Sequence, residues 1–167
     1  TMKFNISKLG TEHTSGWMKL RHEGARDFPL GFLISKEEAE KLTLERASEI
    51  LGYGGMHGVF HREKMIGFCG LRREFFERTQ HRAEIGPFFV TPKYHGSGAA
   101  TALIYEVIKE AVKLKIEQLE LFVDTENFQA IRFYERYGFE IIATHPDGVR
   151  IDGVSRDDHF YRLKLIR

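Results

Sequence analysis

Hydrophobic and polar residues follow each other along the chain in patterns that predict alternating strands and helices. The alternation over Met2–Ile6 predicts a short strand, and helical spacing follows over Ser15–Asp27. The apolar segment Phe28–Phe32 then predicts a loop. Ser35 is typical of a helix N-cap, and the helix that it opens is predicted to run to about Leu51.

The middle of the chain predicts three strands and a long helix. The strands fall at about Met56–His61, Met65–Leu71 and His81–Val90. Pro87 lies inside the third strand, and proline has no N–H group to donate to a sheet ladder. Gly86-Pro87 is therefore predicted to form a bulge. Apolar residues from Ala100 to Leu114 share one helical stripe, which predicts an amphipathic helix.

The last third of the chain adds strands, a helix and a charged loop. We expect a strand at Gln118–Val123, a helix from Asn127 to Tyr137, and strands at Phe139–Ala143 and Asp158–Ile166 around a loop at His145–Asp157. This order predicts a mixed-sheet α/β fold in a single domain of residues 2–167, with Thr1 left out of the prediction.

Composition and charge narrow the range of function classes. The net charge of +1 over 167 residues gives no reason to expect nucleic acid or an anionic membrane as a partner. No apolar run approaches the roughly 20 residues of a membrane span, and no secretory leader is expected. Cys69 is the single cysteine, so we expect a soluble cytoplasmic protein without an internal disulfide.

Histidines and the cysteine offer little sign of a metal centre. His57 and His61 have the spacing of helical metal ligands, but they lie in a predicted strand, where four residues span about 13 Å. No metal is therefore expected. Cys69 is expected to be a small core residue.

Two glycines open the long helix and raise the question of what approaches them. The stretch is Val90–Ala102, VTPKYHGSGAATA. A P-loop is excluded because no lysine follows Gly98. A dinucleotide fingerprint remains a weak alternative, since Gly96–Ala100 opens a helix and the next strand ends at Asp124. That fingerprint begins directly at a strand end, however, whereas Thr91–His95 intervene here.

Two motifs resemble those of the GNAT family of N-acetyltransferases. His95-Gly96-Ser97-Gly98-Ala99-Ala100 resembles the loop that binds the acyl-CoA pyrophosphate, with His95 where the family usually has Arg or Gln. Asn127-x-x-Ala130-x-x-Phe133-Tyr134-x-x-Tyr137-Gly138-Phe139 resembles a second family segment. The resemblance implies acetyl-CoA as co-substrate. The residues it places against acetyl-CoA are Phe88, Phe89, Val90, His95, Gly96, Ser97, Gly98, Ala99, Ala100, Thr101, Asn127, Ala130, Phe133 and Tyr134.

The resemblance also implies a fold. The family has a mixed, mostly antiparallel central sheet of about seven strands flanked by about four helices. In it, a bulged central strand splays from the next strand, here Gln118–Val123, and the pantetheine arm lies in the gap. The bulge is expected to free the main-chain groups of Phe88, Phe89 and Val90, which would then pair with the arm and polarise the thioester oxygen.

Transfer from a thioester to an amine needs an acid for the thiolate and a base for the amine. By resemblance, Tyr134 holds the position of the acid, although the helical periodicity alone is equally satisfied by a core residue. Glu84 resembles the family's catalytic glutamate. Its alternation with Ala83 and Ile85 is also compatible with a solvent-facing side chain, and a water chain could replace it.

The acceptor and the assembly are less constrained. The resemblance places Phe28–Phe32 and His145–Asp157 around the acceptor, and the aspartates and arginines of the second segment fit an amino-acid-like amine or a solvated loop. Homodimers are common in the family. Two other functions stay open, namely a catalytically silent acyl-CoA-binding module and a dinucleotide-binding oxidoreductase.

Overall fold

The computed structural model describes residues 2–165, which form a seven-stranded sheet with helices on both faces. The strands are Asn5–Lys8 (β1), Met56–His61 (β2), Lys64–Arg73 (β3), Arg82–Val90 (β4), Gln118–Asp124 (β5), Glu140–Ile151 (β6) and Val154–Lys164 (β7). The α-helices are Thr14–Asp27 (α1), Lys36–Lys41 (α2), Leu44–Gly52 (α3), Ala99–Lys113 (α4) and Phe128–Arg136 (α5). Thr1 and Ile166, the predicted end of the last strand, lie outside the described residues.

The strand order is β1-β2-β3-β4-β5-β7-β6, and every neighbouring pair is antiparallel except β4 and β5. The crossover between these two strands is α4, as a parallel connection requires. This agrees with the mixed, mostly antiparallel sheet predicted from the sequence. In residues 2–165, no helix is long and apolar enough to cross a membrane.

Each face of the sheet buries its own group of apolar side chains. On one face, α1, α2 and α3 cover the sheet, with the Trp17 ring edge-on to Phe68 at 6.1 Å between centroids. On the other face, α4 buries Leu103, Ile104 and Val107. Adjacent strand residues serve opposite faces, because side chains alternate along a strand.

The helix predicted from Ser35 to Leu51 is two helices. Ser35 caps α2 as expected, since its hydroxyl accepts from the Glu38 N–H at 3.0 Å. The chain then leaves helical geometry at Leu42, and the Thr43 hydroxyl caps α3 by accepting from the Arg46 N–H at 3.1 Å. A threonine before a new apolar run is itself an N-cap signal, and the sequence prediction missed it. Residues 2–165 therefore contain five α-helices where about four were predicted.

The loop predicted at His145–Asp157 is wrong for most of its length. These residues extend β6 and β7 into a long hairpin that turns at Asp152-Gly153, both with positive φ (49° and 79°). Asp-Gly is a strong two-residue hairpin signal. The segment reads as a loop in sequence because most of its side chains are polar and exposed, apart from the half-buried Val149 and Ile151.

The predicted bulge in β4 is confirmed. Cys69 lies opposite Phe88 and Leu71 opposite Ile85, so Gly86 and Pro87 together face the single residue Gly70. Two residues opposite one is the defining feature of a bulge.

The predicted splay is also confirmed, because β4 and β5 are paired only where they begin. Parallel pairing covers Arg82–Glu84 of β4 and Gln118–Glu120 of β5 and stops there. Beyond it, β4 continues beside β3 while β5 pairs with β7 on its other side. The two central strands therefore diverge, and a gap opens between them.

Candidate functional site

A large cleft fills the gap between the diverging strands. It has a volume of about 790 Å³ and runs from the start of α4 to α5, with the Phe28–Phe32 segment along one side. Of the predicted cofactor-contacting residues, it brings together Phe88, Phe89, Val90, His95, Gly96, Gly98, Ala100, Thr101, Asn127, Ala130, Phe133 and Tyr134. Ser97 and Ala99 are the two predicted residues that do not line it.

The glycines at the start of α4 leave space on the cleft side. Gly96 and Gly98 have positive φ (73° and 95°), a conformation that side chains with a Cβ rarely adopt. A Cβ at Gly96 would meet nothing within 4 Å, and one at Gly98 would meet only the edge of Phe4 at 4.0 Å. The backbone at this helix N-terminus is thus open to a ligand, and N–H groups at the start of a helix favour an anion such as a pyrophosphate.

Ser97 and Ala99 have other roles in this loop. The Ser97 hydroxyl donates to the Tyr94 carbonyl at 2.5 Å and accepts from the Ala99 N–H at 3.3 Å, which fixes the turn. The Ala99 side chain is fully buried in the core. Their predicted contact with a ligand is therefore restricted to main-chain atoms.

The His95 side chain links the glycine loop back to the end of β4. Its Nε2 atom lies 2.7 Å from the Val90 carbonyl oxygen, and its ring contacts the Phe28 ring. The imidazole is therefore engaged with the main chain of its own connection. The Val90 carbonyl consequently already has one hydrogen-bond partner.

The main chain of Phe88, Phe89 and Val90 is freed in a different way from the one predicted. The bulge leaves these residues opposite Cys69, Phe68 and Gly67 on β3, so they keep one neighbouring strand. The free side is the one toward β5, because the splay removes that partner. The splay, and not the bulge alone, opens β4 to a ligand.

The start of α5 closes the other end of the cleft. The Asn127 side-chain oxygen accepts from the Ala130 N–H at 3.4 Å, so this residue caps the helix while lining the cleft. The Phe133 ring packs against Phe88 at 5.3 Å between centroids. Farther along, the Tyr137 hydroxyl lies 2.5 Å from Oγ1 of Thr101 and ties α5 to α4.

A small cavity of about 290 Å³ adjoins the large cleft. The two share Phe88, Asn127, Ala130, Tyr134 and the segment from Pro29 to Phe32 as a common wall. The small cavity extends away from the glycine loop toward α1, the bulge and the β6–β7 hairpin, where Val149 and Ile151 line it.

Tyr134 lies at this common wall. It is buried among the rings of Phe88, Phe133 and Phe139, with centroids 5.5–6.2 Å away. Burial raises the pKa of its hydroxyl well above the ordinary value, and the neighbouring Cys69 adds to the increase. The hydroxyl therefore keeps its proton at neutral pH.

Glu84 lines the small cavity and is half-buried, so it does not simply face solvent. Nη2 of Arg72 lies 3.3 Å from its carboxylate, and Nη1 of the same arginine donates to the Gly86 carbonyl at the bulge. Arg72 thus links the carboxylate to the bulged main chain.

Two arginines of the β6–β7 hairpin pair with carboxylates, one within the hairpin and the other at the end of β5. Arg150 bonds Asp147 at 2.6 Å, and Arg156 bonds both oxygens of Asp124 and the carboxylate of Glu126. Both arginines are therefore engaged with carboxylates in the free protein, and their use to hold an acceptor stays a prediction.

Cys69 is a small core residue, as predicted. Cys69 is buried, and burial raises the pKa of its thiol to about 12. His61 lies in β2 and bonds the Tyr94 hydroxyl at 2.8 Å. Within residues 2–165, no three His, Cys, Asp or Glu side chains are grouped as metal ligands would be.

Two cavity residues were missed at the sequence level. Trp17 and Arg21, one helical turn apart on α1, line the small cavity. The spacing of four residues places both on one helix face. The sequence contains no further signal that this face meets a cavity.

Comparisons with known proteins agree with this geometry. The sequence profile of the acetyltransferase (GNAT) family matches residues 17–139. A spermine/spermidine N(1)-acetyltransferase of Bacillus subtilis is 30% identical over 111 residues, 64% of this chain and 72% of that protein. An uncharacterized N-acetyltransferase of Methanocaldococcus jannaschii is 40% identical over 79 residues, but the match covers only 35% of its length and 46% of this chain.

Solved structures show the same fold at low sequence identity. An N-acetyltransferase from Staphylococcus aureus superposes with a TM-score of 0.86 at 15% identity, covering 98% of this chain and 99% of that one. A phosphinothricin acetyltransferase from Sinorhizobium meliloti, solved with acetyl-CoA, also reaches 0.86 at 13% identity, covering 99% and 90%.

Proposed function

The chain belongs to the GNAT family of acetyltransferases, and from that premise we propose that it transfers an acetyl group from acetyl-CoA to a primary amine. The observation that carries the proposal is the wall shared by two cavities, with Tyr134 in it. The large cleft takes acetyl-CoA and the small cavity takes the amine. The reacting groups then meet at Tyr134.

The large cleft fits acetyl-CoA at both ends. The open glycine loop at the start of α4 supplies N–H groups and the positive end of a helix dipole to a pyrophosphate. The unpaired side of β4 supplies main-chain groups to an extended arm and to the thioester oxygen. The volume of about 790 Å³ lies within the range of cofactor sites, roughly 300–1,000 Å³.

We propose Tyr134 as the general acid. A thiol titrates near 8.5 and a tyrosine near 10, so a protonated tyrosine can donate to a departing thiolate at modest cost. Burial raises the pKa of Tyr134, which keeps its proton in place at neutral pH but also makes the hydroxyl a weaker acid, so donation to the thiolate costs more than these ordinary values indicate.

We propose Glu84 as the group that accepts the amine proton, directly or through water. Its carboxylate lines the small cavity, where the amine would enter. Arg72 holds it beside the bulge. The two proton-transfer groups thus lie on different elements that meet at the same cavity.

The state of the single cysteine supports direct transfer without a cysteine acyl-enzyme. Cys69 is fully buried, and a thiol with a pKa of about 12 contains little thiolate at neutral pH. The amine itself is therefore the attacking nucleophile.

The acceptor we propose is a small molecule. The small cavity of about 290 Å³ is at the lower end of the range for ligand sites. The Bacillus relative is named for spermine and spermidine and the Sinorhizobium neighbour for phosphinothricin, so small amines and amino-acid-like amines form the natural test set.

The test is release of free CoA from acetyl-CoA with a panel of small primary amines, with mass spectrometry of the products. We expect at least one amine to gain one acetyl group as CoA is released in equal amount. Binding of acetyl-CoA with no transfer to any amine would instead indicate a silent acyl-CoA-binding module.

A further inference from the structure

Two hydrogen-bond donors on α1 are buried without partners beside the small cavity. Nη1 of Arg21 and Nε1 of Trp17 are both closed off from water, and neither has a hydrogen-bond partner in residues 2–165. Both residues line the small cavity, and the guanidinium lies over the indole ring at 5.6 Å. Buried donors in proteins are nearly always paired, so two orphans at one site require an explanation.

The other charges around the small cavity are matched within the protein. Arg72 is paired with Glu84, and Asp124 is paired with Arg156. Among the charged residues within 2–165 that line this cavity, Arg21 is the one without an ion-pair partner. The cavity therefore carries an unmatched positive charge at its α1 end.

Glu38 is the nearby carboxylate that acts on Arg21 through space, but it is engaged elsewhere. Its carboxylate accepts from the Ser35 N–H at 2.9 Å in the cap of α2. Burial lowers the pKa of Arg21 in spite of this neighbour. The free protein thus contains a poorly solvated positive charge that no carboxylate within residues 2–165 pairs with at this site.

We propose that Arg21 and Trp17 form a carboxylate subsite, so that the acceptor is an amine that also carries a carboxylate. This inference rests on the proposed acetyl transfer and names the substrate class for it. The guanidinium turns about its outer side-chain bonds into the cavity, and the carboxylate accepts from Arg21 and from the indole N–H. The amine of the same molecule then points toward Glu84 and Tyr134.

The experiment compares free α-amino acids with their α-carboxamides, which keep the amine and lose the negative charge. CoA release gives kcat and KM for each pair. Trp17 is the only tryptophan in the sequence, so its fluorescence reports binding at the subsite independently of turnover. We expect the preferred amino acid to have a KM at least about tenfold lower than its carboxamide, the loss typical of a charge-assisted hydrogen bond.

Arg21→Met and Trp17→Phe test the assignment, with Lys19→Gln as the matched control. Lys19 is exposed on the same helix, so the control removes one positive charge without touching the cavity. We expect Arg21→Met and Trp17→Phe to reduce the preference for the acid over the carboxamide, Arg21→Met about tenfold. Lys19→Gln should leave that preference unchanged, and all three should bind acetyl-CoA as the wild type does.

Stability separates a ligand-binding role from a structural one. Because Nη1 of Arg21 is unpaired in the free protein, Arg21→Met should unfold at the same temperature or a higher one. A structural arginine would lower the unfolding temperature when replaced.

The outcomes distinguish this inference from the proposed function. An acid-specific change in Trp17 fluorescence without turnover would support the subsite and contradict acetyl transfer. Acetylation of carboxamides with the same KM as the acids would overturn the subsite and leave acetyl transfer standing. Acetylation of neither set, while amines without a carboxylate react, would do the same. No fluorescence response and no turnover with either set would also overturn the subsite.

Discussion

At the scale of single residues, the account depends most on Tyr134, which borders both cavities. Tyr134→Phe removes the hydroxyl and keeps the ring that packs on Phe88 and Phe139. We expect kcat to fall by roughly 100-fold or more, the usual contribution of a general acid, while the dissociation constant of acetyl-CoA stays the same. Steady-state kinetics and a binding titration measure the two quantities.

Tyr105→Phe is the control for this change. Tyr105 is exposed on α4 and lines neither cavity, so the loss of its hydroxyl should leave kcat unaltered. An unaltered kcat in Tyr134→Phe would remove the tyrosine from the mechanism.

Glu84 gives a second prediction at this scale. Glu84→Gln keeps the shape of the side chain and abolishes proton acceptance, so kcat/KM at neutral pH should fall by roughly 100-fold. The rise of kcat/KM with pH should shift toward the ordinary pKa of the amine, because the amine must then lose its proton to solvent. A pH–rate profile identical to that of the wild type would show that water alone accepts the proton.

The sequence predicted these two residues only through a resemblance. Periodicity alone was equally compatible with Tyr134 as a core residue, and the structure places it both in the core and at the cavities. Trp17 and Arg21 could not be found this way, because their importance arises from burial without partners, which no spacing encodes.

At the scale of secondary-structure elements, we expect the turn into α4 to determine how tightly acetyl-CoA binds. Gly98 caps this helix with φ of 95°, a left-handed conformation that costs a residue with a Cβ roughly 1–2 kcal/mol. In Gly98→Ala, we expect the loop to change conformation to avoid this cost. The dissociation constant of acetyl-CoA should then rise about tenfold.

Isothermal titration measures this effect, and Gly52→Ala is the matched control. Gly52 ends α3 with an ordinary φ, and a Cβ there would meet only Thr11 at 3.9 Å. The control should bind acetyl-CoA as the wild type does. Unchanged binding by Gly98→Ala would mean that the loop conformation does not matter for the cofactor.

The end of β5 is tied to β7 by a charge pair, and this tie predicts a pH-dependent stability. Burial alone would raise the pKa of Asp124, but the bonds from Arg156 and from the Glu126 N–H hold it below its ordinary value. The carboxylate therefore stabilises the fold above the ordinary pKa, near 3.9, and this stabilisation is lost as the pH falls through the lower folded value.

Asp124→Asn should lower the free energy of unfolding by about 1–2 kcal/mol at pH 7. This is somewhat less than the loss expected for a charged hydrogen bond, because the substitution also removes the repulsion between Asp124 and Asp158. The difference in free energy of unfolding between the variant and the wild type should narrow below about pH 4. Urea unfolding at several pH values measures it. Asp147→Asn, in an exposed pair with Arg150, should change stability little, and an equally large effect there would contradict the account.

Elements with strong local signals were predicted well, and those that depend on long-range pairing were not. The Gly86-Pro87 bulge and the Asn127 cap follow from the chemistry of proline and asparagine. The hairpin at Asp152-Gly153 was read as a loop, because its polar strands are stabilised by pairing and not by burial of an apolar face.

At the scale of the whole molecule, the splay between β4 and β5 explains why this fold has a site at its centre. A continuous central ladder would leave no unpaired strand side in the interior. Here the ladder stops at Glu84, and the cleft, the glycine loop and Tyr134 all lie around the resulting gap. The splay could be predicted only through the family resemblance, since no local sequence pattern indicates that two strands will diverge.

The measurement that tests the central claim most directly is thermal unfolding with excess acetyl-CoA, with NAD as the matched nucleotide control. A ligand present at 100 times its Kd adds about 2.7 kcal/mol of stability. For a domain of this length, we expect the unfolding midpoint to rise by roughly 5–11 °C with acetyl-CoA and to stay unchanged with NAD. An unchanged midpoint with millimolar acetyl-CoA would show that the large cleft is not an acetyl-CoA site and would contradict the account.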